Sequence, residues 1–248
     1  MSPAQYDETF YRDAAADARR SARVVVPLLL AQMQVASVAD VGCGWGPWLA
    51  TFLDHGATTV LGIDQPLVDP ARLEFPRRCF KSADLSRPIR LRRRFDLALS
   101  LEVAEHLPEA SAPTLVASLC RLSDAVLFSA AVPHQGGTQH LNEQWPAYWA
   151  DLFGRHGYLP VDFLRRRLWQ HPEVAWWYAQ NIMLYASPAR FPPRWCIRSV
   201  ISNGCNGDWS PAGARERAAA VKRRSAPAPF PSGPANATAA SAATPARR

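Results

Sequence analysis

The chain has 248 residues, of which 48% are hydrophobic, and this suits one α/β domain with a sizeable core. No run of about 18 apolar residues is present, which excludes an evident membrane span. Acidic residues precede the short apolar stretch at 24–31, so we expect a cytoplasmic protein without a signal peptide. The five cysteines are odd in number and lack CxxC spacing, which argues against a disulfide framework or zinc cluster.

The net charge of +7 is concentrated at the C-terminal end. Residues 1–188 carry 18 basic and 19 acidic side chains, whereas residues 189–248 carry 10 basic and 2 acidic ones. The part of the chain expected to fold is therefore nearly neutral, and its charge does not predict a nucleic-acid partner. Residues 225–248 are mostly Ala, Pro, Ser and Thr, so we expect the basic tail at 189–248 to be mostly disordered.

Residues 1–36 have a helical apolar stripe and are predicted to form an N-terminal helical lid. Between residues 37 and 188, short apolar runs alternate with amphipathic stretches, which predicts βαβ units and a mostly parallel sheet. The predicted strands are Ser37–Val41, Thr59–Ile63, Cys79–Lys81, Phe95–Ser100, Ala125–Ala131, Val161–Leu164 and Asn181–Tyr185, the last two as a hairpin-like pair. The predicted helices are Pro47–His55, Ser111–Leu122 and Gln144–His156.

A glycine-rich turn follows the first predicted strand and precedes a predicted helix. Its pattern is D-x-G-x-G-x-G, with Asp40 two residues before Gly42 and further glycines at Gly44 and Gly46. Glycines allow a tight turn and let a ligand approach the backbone, and the helix N-terminus offers unpaired N–H groups. A dinucleotide fingerprint would require glycine where Pro47 stands, so a nicotinamide dehydrogenase is disfavoured.

This pattern resembles the first motif of class I S-adenosylmethionine (SAM)-dependent methyltransferases, and the likeness continues in order and spacing over residues 37–131. The resemblance implies a Rossmann-like three-layer sandwich with a mostly parallel seven-stranded sheet, and SAM as cofactor. It also implies that Asp64 accepts hydrogen bonds from the ribose diol, and that Asp84 and Leu85 bind adenine. The implied cofactor-binding residues are Asp40, Gly42, Gly44, Gly46, Asp64, Asp84, Leu85 and Glu102.

An E-x-x-E-H element follows the fourth predicted strand as Glu102, Glu105 and His106. If a helical turn starts at Glu102, these side chains share a face and could bind Mg²⁺, Mn²⁺ or Zn²⁺. The spacing resembles that of small-RNA 2′-O-methyltransferases and ubiquinone-biosynthesis O-methyltransferases, which implies a metal site completed by another histidine. Two alternatives remain open, namely a metal-free pocket with a histidine base and a purely structural role.

Two histidines in a glycine-rich polar loop after the fifth predicted strand could complete this site. We expect His140 to be the fourth metal ligand, and His134 to be a second choice or a general base. The catalytic candidates are therefore His134, His140 and Glu105, and the metal candidates are Glu102, Glu105, His106 and His140.

The predicted reaction is methyl transfer from SAM to a hydroxyl of a small molecule or sugar. An RNA 2′-O-methyltransferase and a nonenzymatic SAM- or nucleotide-binding module are the alternatives. Arg12 or Arg19 could contact the methionine carboxylate beneath a lid that includes Tyr6, Phe10 and Tyr11. The aromatic residues of the C-terminal half could stack on an acceptor or form core, and they are Trp145, Trp149, Trp169, Trp176, Trp177 and Tyr178.

Overall fold

The computed structural model describes residues 8–189, with side chains from residue 12 onward. The tail expected to be disordered therefore lies outside the described residues, as do Tyr6 and the side chains of Phe10 and Tyr11. Among the helices of the described part, none has the length and apolar character that crossing a bilayer requires.

Seven strands and six α-helices make up the described part of the chain. The strands are β1 Ser37–Val41, β2 Thr59–Asp64, β3 Phe80–Ser82, β4 Leu97–Leu101, β5 Ala125–Ser129, β6 Leu159–Val161 and β7 Met183–Ala186. The helices are α1 Glu8–Leu30, α2 Pro47–Asp54, α3 Ala112–Leu122, α4 Pro146–Gly154, α5 Arg165–Leu168 and α6 Trp176–Asn181.

The strands form one seven-stranded sheet in the order β3-β2-β1-β4-β5-β7-β6. β7 runs antiparallel to both of its neighbours, and the other pairs are parallel. The predicted α/β fold with a mostly parallel sheet and a terminal hairpin-like pair is therefore confirmed. The sixth strand begins two residues and ends three residues before the predicted Val161–Leu164, because Leu164 is buried at the start of α5 and does not continue β6.

Both faces of the sheet are buried, which accounts for the nearly continuous apolar runs in the strands. Successive residues alternate between two cores, so that Val38 packs with α1 and α2 on one face while Ala39 packs with α3 and α4 on the other. The three layers predicted by the resemblance are thus present. Strand order reverses between β1 and β4, and ligands of open α/β sheets bind outside the carboxyl ends of the strands at such a point.

An aromatic cluster holds α4 and β7 against β5. The rings of Phe153 and Tyr185 stack with centroids 4.0 Å apart and planes 8° apart, and Phe128 meets both rings edge-on. All three side chains are buried. This cluster fixes the position of the antiparallel strand beside the parallel part of the sheet.

We expect Phe153→Ala to lower the free energy of unfolding by about 3–5 kcal/mol, because it leaves a cavity beneath Tyr185 and Phe128. Urea denaturation measures the change. Trp169→Ala is a suitable control, since that side chain is 65% exposed and its loss should change the free energy by less than about 0.5 kcal/mol. Equal losses in both variants would contradict this assignment of the core.

Candidate active site

A cavity of about 630 Å³ opens at the carboxyl ends of the central strands, within the usual ligand-site range of about 300–1,000 Å³. Three alanines of α1 form part of its wall, together with the turns after β1, β2 and β4. The loop at 135–140 and the start of α6 close the other side. The cavity therefore occupies the crevice that the strand order predicts.

The glycine turn after β1 is shaped by contacts that exclude larger residues. Gly42, Gly44 and Gly46 have φ values of 85°, 52° and 85°, a region that L-residues with side chains rarely adopt. A Cβ on Gly42 would also collide with the Val103 side chain, and one on Gly46 would collide with Phe75. Gly42 and Gly44 line the cavity, whereas Gly46 does not and instead precedes α2.

Asp64, at the end of β2, is hydrogen-bonded to this turn. Its Oδ2 accepts a hydrogen bond from Gly44 N at 2.7 Å, and its Oδ1 accepts one from Gln65 N at 2.6 Å. Burial raises the pKa of Asp64 to about 6, although these two hydrogen bonds oppose the shift. The carboxylate lines the cavity, as the resemblance implied.

Asp40 is a second buried carboxylate on the same wall. Its Oδ2 is buried without a hydrogen-bond partner. Burial, reinforced by the charge of Asp64, raises the pKa of Asp40 to about 8. Near pH 7 Asp40 is therefore largely protonated and Asp64 largely ionised, and the remaining negative charge on this wall favours a cationic ligand over an anionic one.

Of the neighbouring residues Asp84 and Leu85, only Leu85 lines the cavity in the structure. Leu85 is buried and lines the cavity. Asp84 is exposed and accepts hydrogen bonds from the Ser86 backbone and hydroxyl, and these lower the pKa of its carboxyl. It also pairs with Arg87 at 3.2 Å and does not line the cavity. The structure thus places only Leu85 at the site.

No helical turn starts at Glu102, which has the left-handed φ of 55° and precedes a 3₁₀ turn at Ala104–His106. Its backbone N donates to the carbonyl of Ser129 at 3.0 Å, a long-range contact that overrides the helical spacing. Its carboxylate accepts hydrogen bonds from Asn181 Nδ2 at 3.2 Å and Gln135 Nε2 at 3.3 Å. Burial raises the pKa of Glu102. The helical turn assumed from the i, i+3, i+4 spacing is therefore absent, although Glu102, Glu105 and His106 all line the cavity and the carboxyls of Glu102 and Glu105 interact.

Glu105, His106 and His140 come together, with potential ligand atoms all within 4.8 Å of one another. Glu105 Oε1 accepts a hydrogen bond from Ala131 N at 3.2 Å, while its Oε2 is buried without a partner. Burial, and then the charge of Glu102, raise the pKa of Glu105 well above its ordinary value. The structure does not bring Glu102 into this set.

The two imidazoles of this cluster contact each other edge-on, with ring centroids 5.0 Å apart. Burial, followed by the nearby His140, lowers the pKa of His106 to about 4, so its ring is neutral near pH 7. His140 Nδ1 lies 2.8 Å from Oε1 of Glu143, which orients the ring. A neutral imidazole such as that of His106 is the form that binds metals or accepts protons, and a hydrogen bond at one ring nitrogen, as in His140, orients the other.

Besides Gly46 and Asp84, three further candidates lie outside the cavity lining. His134 is exposed, and its backbone N donates to Glu143 Oε2 at 2.9 Å. Arg19 forms an ion pair with Glu74, and the exposed Arg12 lies 3.5 Å from its neighbour Asp13.

The residues that sequence reasoning missed are polar partners of the predicted ones. Gln135 and Asn181 hold Glu102, and Glu143 orients His140. Glu143 follows His140 by three residues, a spacing that could have indicated the pair. Asn181 lies 79 positions after Glu102, so no local pattern connects them.

The raised pKa of Asp40 makes stability depend on pH. A folded-state pKa of about 8 means that this carboxyl favours the folded protein most below pH 4, and that this stability is lost as the pH rises towards 8. Asp64 acts in the same direction up to about pH 6. We expect Asp40→Asn to raise the stability of the ligand-free protein at pH 9 by at least about 2 kcal/mol relative to wild type.

Denaturation at pH 5, 7 and 9 measures this difference, which should grow with pH. The exposed Asp54→Asn is the control for removal of one charge. A stability difference for Asp40→Asn that stays constant across this range would contradict the assignment.

Residues 12–171 match the family model described as a methyltransferase domain. No curated protein sequence matches the chain significantly. Among solved structures, DesVI from Streptomyces venezuelae is 14% identical with a TM-score of 0.55, and the match covers 75% of this chain and 99% of that one. Magnesium protoporphyrin IX methyltransferase from Synechocystis, solved with bound SAM, is 19% identical with a TM-score of 0.53, over 71% and 82% of the two chains.

A TehB-like SAM-dependent methyltransferase from Corynebacterium glutamicum is also 19% identical, with a TM-score of 0.54 over 75% of this chain and 97% of that one. At these identities the structural likeness supports the fold. The family match spans more than half of the chain and agrees with the glycine turn and the crevice. The chain therefore belongs to the class I SAM-dependent methyltransferases, with SAM as its cofactor.

Proposed function

We propose that this methyltransferase methylates a hydroxyl oxygen of a small molecule or sugar. The observation that carries the proposal is the cluster of Glu105, His106 and His140 at the cavity, with one buried carboxylate oxygen lacking a partner. A hydroxyl is a weak nucleophile and needs either loss of its proton or contact with a metal. This cluster offers groups for both.

In the proposed reaction, a lone pair of the acceptor oxygen forms the new bond to the methyl carbon. The bond between carbon and the sulfonium sulfur breaks, and its electron pair stays on sulfur, giving S-adenosylhomocysteine (SAH). The hydroxyl proton leaves to a base of the site. Because the displacement is direct, alignment of the oxygen with the methyl group supplies much of the rate.

For the cofactor, we propose that Asp64 binds the ribose diol and that Asp40, Gly42 and Gly44 face the methionine part. Leu85 would contact the adenine. Their placement around one crevice supports these roles. Gly46 would act by shaping the turn, and Asp84 would have to leave its own turn to reach the adenine.

The residues fit a divalent metal, because Glu105 Oε2 lacks a partner and two imidazoles lie beside it. Glu105, His106 and His140 would hold the ion. The metal would supply Lewis acidity that lowers the pKa of an acceptor hydroxyl. Glu102 is not in the set of ligand atoms within 4.8 Å of one another and is held by Asn181 and Gln135, so we propose the three-residue set as the primary site.

A metal-free route is the second candidate, favoured by the pair of His140 and Glu143. A carboxylate 2.8 Å from Nδ1 leaves the other ring nitrogen to accept a proton, as in a base held by an orienting group. His134 is less suited to this role, because it is exposed and does not line the cavity.

Asp64→Ala should weaken SAM binding at least about 100-fold, since a buried site that loses a hydrogen-bonding partner leaves polar groups unpaired. Isothermal titration calorimetry measures the affinity. The control Asp54→Asn alters an exposed carboxylate at the end of α2 and should leave the affinity unchanged. Unaltered affinity in Asp64→Ala would show that the ribose lies elsewhere.

Chelation should abolish methyl transfer if the metal route operates, and added Mg²⁺, Mn²⁺ or Zn²⁺ should restore it.

Gly137→Ala tests the metal site without removing any proposed ligand, because a Cβ at its φ of 149° would collide with the His140 ring. We expect it to weaken Mn²⁺ binding, measured by electron paramagnetic resonance, about 10-fold or more. Full activity after chelation would exclude the metal and favour the His140 base.

A further inference from the structure

We infer that the acceptor is an uncharged, planar aromatic hydroxyl compound whose ring stacks on Trp176. This inference rests on the hydroxyl methylation proposed above. The inference concerns the rim of the cavity and the charges along its lining.

Two large apolar side chains are exposed at the rim of the cavity. Leu67 after β2 is 47% exposed and Trp176 at the start of α6 is 55% exposed, yet both line the cavity. Trp176 is held edge-on against Trp177, with ring centroids 5.6 Å apart and planes 80° apart. Exposed apolar surface at the mouth of a cavity marks a binding surface, and a fixed indole offers a flat face for stacking.

The acidic side chains of the described lining are not balanced by lysine or arginine. Four carboxylates line the cavity, and they are Asp40, Asp64, Glu102 and Glu105. Among the described residues of the lining, none is lysine or arginine. The nearby Arg19 pairs with Glu74, and the Arg72 guanidinium lies over the Trp45 ring at 5.9 Å. Without a lysine or arginine among the described lining residues, a carboxylate or phosphate of an acceptor would be buried unpaired, so the cavity favours an uncharged acceptor over an anionic one, RNA included.

The placement of polar and apolar groups in the cavity lining favours an aromatic acceptor over a sugar. Glu105, His106 and His140 stand together, whereas Trp176, Leu67 and the alanines of α1 present apolar surface. A sugar has hydroxyls around its ring and needs hydrogen-bonding partners on several sides, because unpaired buried polar groups are costly. A ring with hydroxyls along one edge matches this lining, with its edge at the cluster and its face on Trp176.

Calorimetry of probe compounds binding to the SAH-loaded full chain tests the inference. The probes are 4-methylcatechol, its carboxylated analogue 3,4-dihydroxybenzoate, the non-planar diol cis-1,2-cyclohexanediol and methyl glucoside. We expect 4-methylcatechol to bind at least about tenfold more tightly than the other three. Trp176→Ala should weaken 4-methylcatechol about tenfold without changing SAH affinity, and Trp176→Phe should retain most of the binding.

Trp169→Ala is the matched control, because that tryptophan is 65% exposed but outside the cavity lining, and it should have no effect. Equal or tighter binding of 3,4-dihydroxybenzoate or methyl glucoside, no binding of 4-methylcatechol, or an unchanged affinity in Trp176→Ala would each overturn the inference. Mass spectrometry for the methyl ether tests the proposed function separately. Selective binding of 4-methylcatechol without ether formation from SAM would support the aromatic site and count against hydroxyl methylation.

Discussion

The hydrogen bond from Gly44 N to Asp64 ties the turn after β1 to the end of β2, and the crevice depends on it. Two more backbone bonds, from Gly42 N and Cys43 N to the carbonyl of Ile63, strengthen the same link. The turn can lie this close only because glycines adopt its positive φ values. One carboxylate thus shapes the protein's own backbone and lines the cavity in which we propose that it binds the ribose.

This arrangement leaves buried carboxyl oxygens without hydrogen-bond partners, which lowers the stability of the folded protein. Asp40 and Glu105 each keep a buried oxygen without a partner, and Glu102 has a backbone conformation that costs about 1–3 kcal/mol. Such features persist because the surrounding sheet and the amides of Gln135 and Asn181 hold them. A bound cation or hydrogen-bond donor would give these carboxyl oxygens a partner. The same buried carboxyls therefore destabilise the ligand-free crevice and favour binding of a ligand.

The sequence was sufficient for the parts of the molecule that local rules govern. The alternation of apolar runs predicted seven strands, and the pattern from Asp40 to Gly46 predicted the turn, because both signals lie within one element. The conformation of Glu102 could not be predicted, since contacts with Ser129 and Asn181 override its helical spacing. Likewise, His134 and His140 occupy one loop, and only its folding puts the first outside and the second against His106.

The position of Asn181 has a consequence for biosynthesis. This residue lies two positions before the start of the last described strand, which inserts between β5 and β6, so the surroundings of Glu102 are completed by a late segment. A ribosome will have released the glycine turn more than a hundred residues before it releases Asn181. During synthesis, the hydrogen bond between Gly44 N and Asp64 can therefore form while Glu102 still lacks the amide of Asn181.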